Sequence, residues 1–129
     1  MIVDSSAIVA ILRAELEAAE FAHAIASSKC RISAVSYAEA AIVIDCAADA
    51  IASRRFDDFI RASAIAVETV SAKQAQIARY AYRDFGKGRH KAGLNFGDCF
   101  SYALAKEADE PLLFKGDDFR HTDIEAVKK

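Results

Sequence analysis

The chain reads as an α/β sandwich built on a short, mainly parallel sheet, and three observations carry that reading. Short apolar runs alternate with helix-periodic stretches along its 129 residues. The stretch between successive runs is long enough for the crossover connection that parallel neighbours require. One Pro, five Gly and no low-complexity tract leave no room for a linker, so residues 1–129 are expected to form a single domain. A hydrophobic fraction of 53% is enough for one core. Much of that fraction is alanine, which forms helix well and fills little volume. Ile, Val, Leu and the eight Phe must therefore supply the bulk.

Taken in order, Ile2-Val3 is a very short apolar strand that stops at Asp4. Ser5 or Ser6 can then cap a helix whose apolar positions are Ile8, Ile11, Leu12 and Leu16. Arg31 to Val35 reads as a second strand, with Ser36 capping a helix that runs to about Ala47. A further helix is expected from Asp49 to Ser63, where Ile51, Phe56, Phe59 and Ile60 recur at helical spacing. Ile65 to Thr69 is β-branched and strand-like. Helix resumes near Ser71 and continues to about Phe85. Gly86 to Gly93 is a basic loop punctuated by glycine, and Asn95 opens a helix carrying Phe100, Tyr102, Ala103 and Leu104. After Pro111, Leu112 to Phe114 is the last strand. In sheets of this kind ligands bind at the carboxyl ends of the strands.

A formal charge of −2 gives no global footprint for nucleic acid, so any such binding must come from a local patch. The loop supplies one in Lys87, Arg89, His90 and Lys91, immediately before Asp98; its alternative is a solvated surface loop. Arg13, Lys115 and Arg120 could extend it. The three cysteines show neither metal nor paired-disulfide spacing and are expected to be reduced. Asp4 interrupts any amino-terminal secretory pattern, and no apolar run approaches the ~20 residues that span a bilayer. The expected compartment is cytoplasmic, with no membrane partner. The histidines have no metal-pair spacing. The aromatic residues at helical spacing read as core or interface before they read as base-stacking platforms.

The acids carry the chemistry. Asp4 stands at the end of a buried strand, where an ionised carboxylate needs a cation or hydrogen bonds to compensate it. The plain alternative is amide capping in the turn. Glu39 follows Ser36, and Asp98 follows Asn95, with the spacing of a capping box, so each has a structural explanation too. Placement favours function: Asp4, Glu39 and the pair Asp117-Asp118 all fall where strands end, and a helix headed by Asp98 would bring a fourth position to them. Several like charges in one pocket are tolerable chiefly around a divalent metal. Magnesium or manganese held by a few carboxylates leaves coordination positions open for a phosphate oxygen and a water.

Four segments, MIVDSSAIVAIL, SAVSYAEA, YRDFGKGRHKAGLNFGDCFSYALAK and PLLFKGDDFRHTDI, in that order, resemble the VapC-type toxins of the PIN-domain nucleases over nearly the whole chain. The resemblance implies a PIN-like α/β/α sandwich and a metal-dependent ribonuclease acting on structured or messenger RNA. It also implies a cognate VapB-type antitoxin and a homodimer. Asp4, Glu39 and Asp98 match the family's central acids. Asp4 and Asp98 would bind Mg2+ or Mn2+, Glu39 would complete the shell or hold its water, and Ser6 would support the site. The broader pattern has a fourth acid where this chain has Gly116. Asp117 beside it is the preferred substitute, with Asp118 capping the next turn. Lys87, Arg89 and Lys91 would contact RNA.

Other classes fit less well. A phosphatase using Asp4 as nucleophile would want a second aspartate where Ser6 stands, and no GxGxxG follows the first strand. The non-enzyme alternative is a catalytically silent PIN-like module that binds RNA or protein and whose carboxylates are only caps.

Overall fold

The computed structural model describes residues 1–127. Its sheet has four strands, β1 (Ile2–Val3), β2 (Arg31–Ser33), β3 (Ala66–Glu68) and β4 (Leu112–Leu113), in the order β3-β2-β1-β4 and parallel at every pairing. Ile2 lies opposite Arg31 on one side and Leu112 on the other, and Val3 lies opposite Leu113. Parallel pairing obliges each connection to cross over, and helices fill those crossovers. Helices α1 (Ser5–Leu12) and α2 (Ala18–Ala26) link β1 to β2. Helices α3 (Ala34–Asp45) and α4 (Ala50–Ser63) link β2 to β3, and α5 (Ala72–Phe85) and α6 (Phe96–Ala108) link β3 to β4.

The pleat sorts the core. Ile2 and Leu112 join Leu94, Tyr102, Phe114 and Phe119 on the face covered by α5 and α6. Val3 and Leu113 point the other way, into Ile8, Phe21, Ile32, Phe56 and Ile65 beneath α1 to α4. The result is the expected α/β/α sandwich. Because strand order reverses direction at β1, the crevice outside the ends of β1 and β4 is a topological switch point. Phe21 is fully buried on α2. Phe21→Ala is expected to cost about 3–5 kcal/mol in chemical denaturation without moving the switch point.

Local chemistry displaces three boundaries from the sequence expectation. Asp4 itself, rather than Ser5 or Ser6, caps α1, and the helix stops at Leu12, where Ala14 turns to a φ of 52°. Leu16 therefore lies outside it at 101% exposure, and α2, a segment left unassigned from sequence, follows separately with Phe21 and Ile25 on its buried face. Strand β2 ends at Ser33, whose hydroxyl accepts from the Val35 amide and so caps α3 in place of Ser36. That shift places Glu39 in the second turn of α3, out of reach of the capping role its spacing suggested. The capping box between Asn95 and Asp98 does form. Among the described residues, no helix is long and apolar enough to cross a membrane.

Candidate active site

An open hollow at the switch point is lined by Asp4, Glu39, Asp98, Ser6, Asn95 and Lys115, with Ser5, Glu15 and Gly116 around them. Asp4 reaches it because β1 is only two residues long and delivers residue 4 straight from the sheet to the start of α1. The Asp4 side chain is 1% exposed. It survives burial through two donors: the Ser6 amide donates to Oδ2 at 3.0 Å and the Ser101 hydroxyl to Oδ1 at 2.5 Å. Ser101 Oγ lies 2.7 Å from Ser36 Oγ, so the serine displaced from the cap of α3 supports the same carboxylate at one remove.

Glu39 enters from α3. Its Oε1 accepts from the Ser5 hydroxyl at 2.6 Å, and its carboxylate lies against the first turn of α6 at Gly97. A Cβ on Gly97 would come within 2.2 Å of Glu39 Oε2, so only glycine lets the acid rest there. Asp98, the third acid, accepts from the Asn95 amide at 3.0 Å while its own amide donates to Asn95 Oδ1 at 2.9 Å.

Burial, and after it the charge of Asp4, push the Asp98 carboxyl up to about 7, with Glu39 and Asp118 adding to the rise against the lowering bond from Asn95. Residues from β1, α3 and α6 thus sense one another electrostatically. Among the described residues, no three acidic, histidine or cysteine side chains are already gathered into an ion-holding group. Hydrogen bonds to Ser5, Ser101 and Asn95 hold the carboxylates at their separate stations. The donors themselves are hard oxygens; burial first and the charge of Asp4 second raise the proton affinity of Asp98, and a divalent cation would offset both.

The acids after β4 divide. Asp117 is turned outward, its side chain 83% exposed and 3.4 Å from Arg120. Asp118 heads a short 3₁₀ turn, and its charge is the one that reaches Asp98. Ser6 accepts from the Lys115 amide at 3.0 Å, tying α1 to the end of β4. The Lys115 ammonium pairs with Glu15, and with Glu17 at 3.7 Å, so it serves the rim rather than a phosphate patch. On the basic loop Lys87, Arg89 and Lys91 are exposed. His90 instead accepts from the Ala92 amide at 3.0 Å and packs edge-on against Phe85.

Ser5, expected only as a possible helix cap, joins Glu15, Ser101 and Gly97 as site neighbours not among the expected site residues. Ser101 follows Asp98 by one helical turn, which puts both on one face of α6 and was a usable signal. Glu15 and Gly97 carry no comparable mark, since each takes its role from a neighbour distant in sequence.

The PIN domain family model matches residues 1–125. Fold, switch-point hollow and this match together make the molecule a PIN domain. Ribonuclease VapC28 of Mycobacterium tuberculosis is 54% identical over 97% of this chain and 96% of its own length. Ribonuclease VapC of Mycolicibacterium smegmatis is 50% identical over 98% and 99%. In three dimensions the chain superposes on the crystal structure of M. tuberculosis VapC20, described as a Sarcin-Ricin loop cleaving toxin, with a TM-score of 0.79, 17% identity and coverage of 99% and 98%. A toxin-antitoxin complex from Klebsiella pneumoniae gives a TM-score of 0.70 at 14% identity, covering 95% and 92%. The chain belongs to the VapC ribonucleases of the PIN-domain family.

Proposed function

We propose that the chain is a magnesium- or manganese-dependent ribonuclease toxin whose reaction centre is Asp4, Glu39 and Asp98. The observation that carries this reading is the convergence of three acids from β1, α3 and α6 on one hollow, felt at Asp98 as a carboxyl titrating near neutrality. A bound divalent cation would supply positive charge to the scissile phosphate and favour deprotonation of the attacking water. The protein's part is positioning. Ser101 and the Ser6 amide fix Asp4 at the lining of the hollow, each using one lone pair and leaving the carboxylate others to offer a cation. Ser5 fixes Glu39, and Asn95 fixes Asp98, which would have to be ionised to hold a cation. Asp4 and Asp98 are the direct ligands in this account and Glu39 completes the shell. Of the acids after β4, Asp118 is better placed than Asp117 to add charge to the site.

Lys87, Arg89 and Lys91 are assigned to the RNA backbone, because an acidic chain needs a local cationic approach beside its acids. A VapB-type antitoxin partner is in keeping with the solved toxin-antitoxin neighbour. The single domain over residues 1–129, homodimerisation and a cytoplasmic setting complete the proposal.

Purified protein free of antitoxin is expected to cut RNA when magnesium or manganese is present and to stop when EDTA is added. Gel analysis of RNA ends reads the result. Cleavage that continues undiminished in EDTA would overturn the metal assignment. RNA binding with no cutting under any metal would favour the catalytically silent module.

A further inference from the structure

Beside the acid hollow runs a second cleft, of about 500 Å³, between α5 and the start of α6. Its lining includes Tyr82, Phe96 and Phe100, with Arg79 and Lys87 among them, and no Asp or Glu contributes. Phe96 is 72% exposed and Tyr82 40% exposed. Phe96 stands open at the head of α6, a helix otherwise well buried, and Tyr82 faces it from the exposed side of α5. Phe96 meets Phe100 edge-on at 5.0 Å between centroids, and the Arg89 guanidinium lies over the Tyr82 ring at 6.0 Å from its centroid. The cleft is therefore an aromatic surface rimmed by cations.

Its position relative to the acids is fixed by Asn95, which lines both the cleft and the hollow and is hydrogen-bonded in both directions to Asp98. Phe96 is the very next residue. We infer that this cleft is a nucleobase subsite, taking one unpaired base of the RNA substrate on Phe96 and Tyr82 while Arg79 and Lys87 hold the adjoining phosphates. The inference rests on the ribonuclease reading of the acid hollow and adds to it a separate base-holding cleft with named residues. Bases in a duplex hide their π-faces, whereas single strands and loops present them to aromatic rings. Charge selects among occupants. The lining holds Arg79 and Lys87 and no acid, which complements the negative charge of an RNA backbone.

The test uses the intact chain carrying Asp98→Asn to block cutting, and a short single-stranded RNA of mixed sequence with a fluorescent purine analogue walked along the strand. Fluorescence should be quenched at one position. Phe96→Ala should abolish that quench and weaken binding by about tenfold or more, while Phe96→Trp restores both. An abasic nucleotide at the quenched position should weaken binding to the parent protein by a similar factor and leave Phe96→Ala with no further loss. Unchanged affinity and quenching in Phe96→Ala overturns the subsite. So does a Phe96→Ala protein whose RNA affinity is intact but whose dimer dissociates in light scattering, which would make the cleft a protein interface. With Asp98 restored, a parent protein that cuts RNA beside an equally active Phe96→Ala variant removes the subsite alone. A parent that cuts no RNA removes the ribonuclease reading and the subsite with it.

Discussion

Asp98→Asn is expected to abolish RNA cleavage and, in the metal-free protein, to raise the melting temperature. The two effects have one cause. Burial and the facing charges of Asp4 and Glu39 raise the Asp98 carboxyl from its ordinary 3.8 to about 7, so the folded state holds this proton more tightly than the unfolded chain does. For a carboxyl whose folded pKa is raised, stability falls as pH climbs from about 3.8 through about 7, and the full cost stands above that window. Asparagine carries no charge to pay for and can still accept from the Asn95 amide, so the helix cap survives. Asp98 is only partly buried, and solvent screening reduces the gain to about 1 kcal/mol, a few degrees in Tm. Calorimetric melts of parent and variant at alkaline and mildly acidic pH should show the gap closing as pH falls. Cleavage, by contrast, should drop by three orders of magnitude or so, since a ligand and its charge are both gone. A variant that melts no higher than the parent at alkaline pH would mean that neither burial nor the facing acids burden the Asp98 charge.

Gly97→Ala should cost about a hundredfold in cleavage at almost no cost in stability. The added methyl would lie 2.2 Å from Oε2 and 2.7 Å from Oε1 of Glu39. Those are the ends of a flexible side chain, so the acid swings aside rather than the helix breaking, and the Ser5 bond at 2.6 Å is lost with it. Alanine also favours helix over glycine by about 1 kcal/mol, which offsets much of the lost contact. The cycle with Glu39→Ala makes the mechanism specific: in that background, Gly97→Ala should add little, because the atom it displaces is gone. Independent, additive losses would instead place the effect of Gly97 elsewhere on α6.

What the sequence disclosed follows from which features are local. Alternating apolar runs and helix periods gave the layers and the parallel sheet, because both record burial residue by residue. The end of β1 at Asp4 and the Asn95-Asp98 cap were visible for the same reason. Serine misled at α3: Ser33 and Ser36 both qualify as caps, and only the backbone turning at Ser33 decides. Once Ser33 takes the cap, Ser36 is buried against Ser101 and Glu39 is released toward the hollow. Helix α2 carries Phe21 and Ile25 at helical spacing and could have been read, but extending α1 to Leu16 left the segment after it unassigned. Asp117 and Asp118 are both exposed in the turn after β4 and neither lines the hollow; they differ only in that the charge of Asp118 reaches Asp98, which no local pattern announces. The aromatic residues read from sequence as core or interface, and the 72% exposure of Phe96 is set by how α6 begins beside α5.

The claim beneath all of this is that Asp4, Glu39 and Asp98 form one cation-binding hollow, and titration calorimetry with manganese tests it most directly. Binding should be saturable and accompanied by proton release, tighter at about pH 8 than at about pH 6 because Asp98 must first ionise, and lost in Asp4→Asn. Heats that never saturate, or binding that is indifferent to both pH and Asp4→Asn, would contradict the account.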